Sequence, residues 1–180
     1  MNAKPEEQRD QAFLARVSDI YNAIKVKRAE VIEAALSVEG LVNEVLLDLL
    51  VGRGGQRALV KETVLLAEFC TSFQKWKMLR RLMSDVPAYF DLLSAEAASN
   101  FRKDLKDVIG QRNKFAHGDL IVDVGNNYGV LLRYFEDGTK YLPVTGDVVE
   151  DVLSKALECR KTLWDLHSRF GTDIQTTVLV

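Results

Sequence analysis

Hydrophobic positions in the first fifty residues keep a helical rhythm. Phe13, Val17, Ile20, Tyr21 and Ile24 fall at i, i+4, i+7, i+8 and i+11, one stripe of a helix. A charge-rich stretch follows from Lys25 to Glu30. The rhythm then resumes through Val31, Ile32, Ala35, Leu36, Val42, Val45, Leu46, Leu49 and Leu50. No proline marks a break, so one long bent helix and two shorter helices both fit. Residues 1–5 read as a frayed start. Gly52-Arg53-Gly54-Gly55 reads as a helix stop and loop. It lacks the Gly-Lys-Ser/Thr of a Walker phosphate loop. A third helix is expected from about Arg57 to Met83, and a fourth helical region, starting after Pro87, over 88–117 with an interruption near Ser94–Ser99.

The period changes at Gly118. Leu120 to Val124 is short, apolar and β-branched, and Gly125-Asn126-Asn127 has the composition of a turn. Val130 to Phe135 reads as a second strand, and Asp137-Gly138 within Glu136–Gly138 is a strong hairpin signal. Thr139 to Val144 completes a meander, with Pro143 pointing to an edge strand because proline donates no hydrogen bond to a ladder. Asp147 and Glu150 have capping-box spacing and open a last helix through about Phe170. The expected fold is mainly α: a single helical domain over 1–180, its helical core at about 6–117 and 147–170, with a small antiparallel β-meander at about 120–144 inserted before the last helix.

Composition narrows the class. The chain has 180 residues, 47% of them hydrophobic, with 11 Gly and 3 Pro, which excludes a disordered, collagen-like or low-complexity chain. Lys and Arg total 24 against 26 Asp and Glu, so bulk charge gives no drive toward DNA or anionic lipid. Cys70 and Cys159 match no metal spacing and are too few for a disulfide scaffold. Two histidines and scattered acids make no persuasive metal site, and no metal or other cofactor is expected. No apolar run is long enough for a membrane span, and Met1–Glu7 lacks a signal-peptide core; the expected location is the cytoplasm.

The informative segment is Arg112-Asn113-Lys114-Phe115-Ala116-His117-Gly118. With Leu105 at zero on a helical wheel, Val108 falls near about 300°, Ile109 near about 40° and Arg112 near about 340°. Arg112 thus sits in the middle of an apolar stripe, where a cation must be paired or must serve a site. His117 lies on the flank, at about 120°, in the last turn beside the negative end of the helix dipole. Gly118 is placed to end the helix. The pattern also fits a plainer arrangement, in which Arg112 clamps a carboxylate from another helix and His117 is a cap. Glu33, Glu39 and Glu44 are the candidates for that carboxylate.

This segment resembles the Arg-X4–6-His signature of the HEPN superfamily, the small helical domains of bacterial toxins, abortive-infection systems and CRISPR-associated ribonucleases. Arg112, the polar Asn113 and His117 match the signature position by position, and the likeness extends over about 30–170. The β-meander departs from the minimal helical fold of that superfamily. The resemblance implies metal-independent RNA cleavage, in which the 2′-hydroxyl attacks the adjacent phosphate. Arg112 would stabilise the phosphate charge, His117 would serve as acid or base, and Asn113 would position. It further implies a homodimer in which two motifs meet, and a role in defence or stress with a possible antitoxin or regulatory partner. The alternative is a non-catalytic dimerisation or regulatory module with the same fold, including one like the helix-rich mannitol operon repressors. DNA is not an expected ligand.

Other residues carry weaker signals. Lys77, Arg80 and Arg81 share a helix face and could track an RNA backbone, although a solvated face is the plainer reading. His167, on the apolar face of the last helix near Leu163 and Trp164, reads as a satisfied core or interface histidine. Phe69, Phe73 and Trp76 read as core rather than as base-stacking platforms.

Overall fold

The computed structural model describes residues 5–125 and 128–177. The first helix, α1, runs unbroken over Pro5–Val51, so the charge-rich stretch is a polar segment within one helix and not a break. Lys, Arg, Ala and Glu in that stretch are good helix formers, and nothing there offers the backbone an alternative. Gly52, at φ +65°, ends α1 in the left-handed region that glycine adopts without strain.

The expected helix from Arg57 to Met83 is divided. A short α2 (Arg57–Val60) passes into a π-turn at Lys61–Leu65, a loop follows, and α3 spans Ser72–Asp85. The division comes at Thr71. Its hydroxyl accepts from Gln74 N–H, and the Gln74 side chain accepts from Thr71 N–H at 2.7 Å, a complete capping box. A second division separates a 3₁₀ turn at Pro87–Phe90 from α4 (Ala95–His117), whose N-cap is Ser94.

The meander forms as expected. Strands β1 (Asp119–Asp123), β2 (Gly129–Phe135) and β3 (Thr139–Pro143) are antiparallel in that spatial order, which leaves Pro143 on an edge strand. Leu132 sits opposite both Leu120 and Leu142. Asp137 and Gly138 make the β2–β3 turn with positive φ. Of the first turn, Asn126 and Asn127 lie outside the described residues. The last helix, α5, spans Gly146–Thr177, longer than expected. Its cap is Thr145, whose hydroxyl accepts from Val148 N–H, rather than Asp147; Asp147 falls instead in the first turn, where the dipole favours an acid.

Two cores hold these elements. The larger gathers Val42, Val45 and Leu46 of α1, Leu79 of α3, Leu105 and Val108 of α4, and Leu163 and Leu166 of α5. The smaller packs the sheet, through Val130 and Leu132, on Val31 of α1, Phe115 of α4 and Val149 of α5. Cys70 and Cys159 are free and buried, and burial pushes the Cys159 thiol up to about 12. Among the described residues no helix is long and apolar enough to cross a membrane.

Candidate functional site

The last two turns of α4 are pinned from the inside. Phe115 is fully buried in the smaller core. Arg28, from the charge-rich stretch of α1, donates to Ala116 O at 2.8 Å and so satisfies one of the carbonyls that a helix end leaves open. Gly118 N–H bonds to Lys114 O at 2.8 Å. Gly118 ends the helix, as expected, but with φ −80° and ψ 155° it is extended rather than left-handed. Its glycine identity answers to packing. A Cβ there would lie 2.7 Å from Lys114 O and 2.9 Å from Arg133 O. The chain thus leaves α4 directly into β1, with β2 pressed against the junction.

Around this anchored end, Arg112, Asn113 and His117 line one cavity of about 610 Å³ together with Glu39 of α1 and Ser72 and Lys75 of α3. Arg112 is half-buried, in keeping with its place in the apolar stripe. Its Nη1 donates to Asn113 Oδ1 at 3.0 Å, while its Nε is buried and makes no hydrogen bond among the described residues. His117 is exposed at the mouth. It also borders a second cleft of about 610 Å³, which lies between α3, α4 and the β2–β3 turn and shares Asn113 with the first. A smaller depression of about 430 Å³ beside Asp119 and Arg133 reaches His117 as well.

The wall opposite Arg112 is an ion pair that sequence reasoning missed. Lys75 is 3% exposed, and its Nζ donates to Glu39 Oε1 at 2.6 Å. Ser72 donates to Glu39 Oε2 at 2.7 Å. Burial pushes the Glu39 carboxyl up. The hydrogen bonds from Lys75 and Ser72, with the positive charges of Lys75 and Arg112, outweigh that and hold it below the ordinary glutamate value. Of the three acids considered for Arg112, Glu39 is therefore the one whose charge senses it, although its hydrogen bonds go to α3. Glu44 is engaged by Arg57 and Lys61, and Glu33 is exposed. No sequence signal tied Lys75 to Glu39, because 36 positions separate them.

The weaker candidates fall elsewhere. His167 Nδ1 lies 2.7 Å from Oδ2 of the buried Asp48, which also accepts from Arg57 at 2.7 Å. That is the satisfied histidine expected, and it does not line the cavities around His117. Lys77 lies over the Phe73 ring and Arg80 over the Trp76 ring, and Arg81 pairs with Asp85 at 2.6 Å. None of the three lines those cavities. Trp76 is core, but Phe69 is 67% exposed and Phe73 40%, against the expectation that all three would be buried. The π-turn and loop before α3 carry Phe69 out to the surface, and Phe73 falls on the outer side of α3 next to its cap.

The chain matches no protein-family model. No curated protein and no solved structure is significantly similar to it. The functional reading therefore rests on the residues themselves. What they assemble is a recess with two cations, a carboxamide and an open-facing imidazole, walled by one acid that is already bonded. Such a recess suits an anionic group carrying a proton to be moved.

Proposed function

We propose that this protein is a metal-independent endoribonuclease of the HEPN type, acting in the cytoplasm as a homodimeric effector in defence or stress. The observation that carries the proposal is the shared cavity of Arg112, Asn113 and His117, with the Arg112 Nε enclosed and without a partner among the described residues. In RNA the 2′-hydroxyl attacks the neighbouring phosphorus while the 5′-oxygen leaves. Negative charge gathers on the non-bridging oxygens, and a guanidinium held in a half-buried wall stabilises it more strongly than one in open water. Asn113, bonded to Arg112, fixes the plane of that guanidinium. His117 takes the hydroxyl proton or returns one to the leaving oxygen, a role suited to imidazole near neutral pH. The products are a 2′,3′-cyclic phosphate and a 5′-hydroxyl. DNA, without the 2′-hydroxyl, is inert. An antitoxin or regulatory protein covering the mouth at His117 would silence it.

The second reading, a non-catalytic dimerisation or regulatory module, is favoured by one observation: the field of Arg112 helps hold Glu39 ionised beside the buried Lys75. Arg112 is then part of the ion pair's surroundings and nothing more. The two readings separate on one set of samples. Wild type is incubated with single-stranded RNA in EDTA, and Arg112→Ala and His117→Ala are compared with it. The enzyme reading expects cyclic-phosphate ends, rates at least about a hundredfold lower in both variants, and variants that stay folded. The structural reading expects no cleavage by any form, with Arg112→Ala destabilised by no more than about 1 kcal/mol, because Glu39 keeps its bonds to Lys75 and Ser72. That second outcome retires the enzyme.

A further inference from the structure

The second cleft beside His117 has a different chemistry from the Arg112 cavity. Its walls are Phe73 of α3 and Tyr134 and Phe135 at the end of β2, with Lys106 and Lys114 of α4 between them. Phe135 is 83% exposed and Phe73 40%. Leaving so much aromatic surface in water forgoes the stabilisation that burial would give, and Phe135 is the most exposed large hydrophobic side chain among the described residues. The platform is also rigid. Phe73 stacks on Trp76 at 5.2 Å and 20°, and Trp76 is buried and donates through Nε1 to Arg102 O. Lys114 lies over the Tyr134 ring at 4.9 Å, which fixes the end of the strand against α4. The floor is open at Gly110, where a Cβ would meet nothing within 4 Å.

We propose that this cleft is a nucleobase subsite: an unpaired base enters over Gly110 and stacks on Phe135 opposite Phe73. Its ribose lies at Asn113 and His117, and its phosphate lies in the Arg112 cavity. The proposal rests on the ribonuclease reading for the identity of the strand, and it makes single-stranded RNA the substrate class. Three features of the cleft favour a base over another flat ligand. Aromatic faces take any base, Lys106 and Lys114 outnumber the one acid of the lining, Glu136, and so match the phosphates that flank it, and Asn113 joins the cleft to the cavity suited to a phosphate. A base held in a duplex presents no free face to Phe135, so paired RNA is excluded. The β-meander, which departs from a purely helical fold, thereby acquires a function, since the end of its second strand carries the stacking side chain to the motif.

The test measures binding separately from cleavage. A fluorescein-labelled single-stranded RNA of about ten nucleotides is titrated against the full-length His117→Ala protein at fixed salt. The same titration is run with Phe135→Ala and with Gly110→Leu added to that background. Phe135 is exposed, so its removal leaves the cores intact. Gly110→Leu fills the cleft from a helix face and is checked for folding by circular dichroism. The expected result is an affinity loss of about 5- to 100-fold in each, the range of a lost base stack, with a matched duplex binding weakly throughout. Unchanged affinity in both variants, or no binding of any single strand, overturns the subsite. Cleavage is scored on wild type. If wild type cuts no RNA but both losses appear, the subsite stands and the ribonuclease falls. If wild type cuts and neither change alters affinity, the ribonuclease stands and the subsite falls.

Discussion

At the scale of the residue, position on a helix wheel was enough to mark Arg112. An arginine among Leu105, Val108 and Ile109 had to be explained, and the structure finds it half-buried, with its Nε enclosed. Lys75 was not legible in this way. It follows Gln74 on an ordinary amphipathic helix, and only the tertiary approach of α1 brings Glu39 to it. That pair has a measurable consequence. The folded Glu39 carboxyl is held below its ordinary value, so between the folded and unfolded values the unfolded chain binds more protons. The stability it contributes is present in full above the ordinary glutamate range and is lost as pH falls through the folded value. Glu39→Gln should therefore lower the melting temperature at neutral pH by removing the counter-charge of a buried ammonium. The gap between variant and wild type should narrow steadily as melts are taken toward pH 3. A gap of constant size across that range would mean that Glu39 does not titrate against Lys75.

At the scale of the element, the meander was readable because its signals are local. Asp137-Gly138 makes the turn, and the two-residue alternation of Val130 and Leu132 faces the core. The division of the expected third helix was not read. Leu65, Leu66 and Phe69 sustain an apolar run across it, although Thr71 and Gln74 carried the capping-box spacing that closes it. Gly118 lies between these cases. Its role as helix terminator was plain, but the reason for glycine was not, since the pressure comes from Arg133 and Leu132 on a strand not yet placed. Contact with backbone oxygens at 2.7 and 2.9 Å leaves no flexible side chain to yield. Gly118→Ala should cost about 1–3 kcal/mol, the usual range for overpacking, in a urea melt. It should also displace His117, its neighbour, so that the proposed RNA cleavage would fall further than the unfolded fraction explains. Stability within about 0.5 kcal/mol of wild type would show that β2 can move away from the helix end at little cost.

At the scale of the whole molecule, the two histidines have parted. His167 is bonded to Asp48, away from the cavity linings, which leaves His117 as the single imidazole among the described residues that line the cavity with Arg112. Cleavage by this route calls for a base at the 2′-hydroxyl and an acid at the leaving oxygen, on opposite sides of the phosphorus. One imidazole does not serve both positions at once. Under the proposed ribonuclease function, a second copy of the chain presenting its own His117 across a two-fold axis would supply the other, and symmetry would make such a contact self-complementary. His117 is exposed at the mouth of the recess, so a partner can approach it without unfolding either chain. Light scattering at micromolar concentration should then give twice the 20.3 kDa chain mass. If the proposed paired site holds, specific activity should fall on dilution in step with the loss of that mass, because a separated protomer would lack half of the proton-transfer pair. Arg112→Ala and His117→Ala should remain dimeric, since the contact does not depend on the chemistry. A monomer at every concentration, with cleavage proportional to protein down to the lowest, would overturn the paired site and assign both proton transfers to one chain.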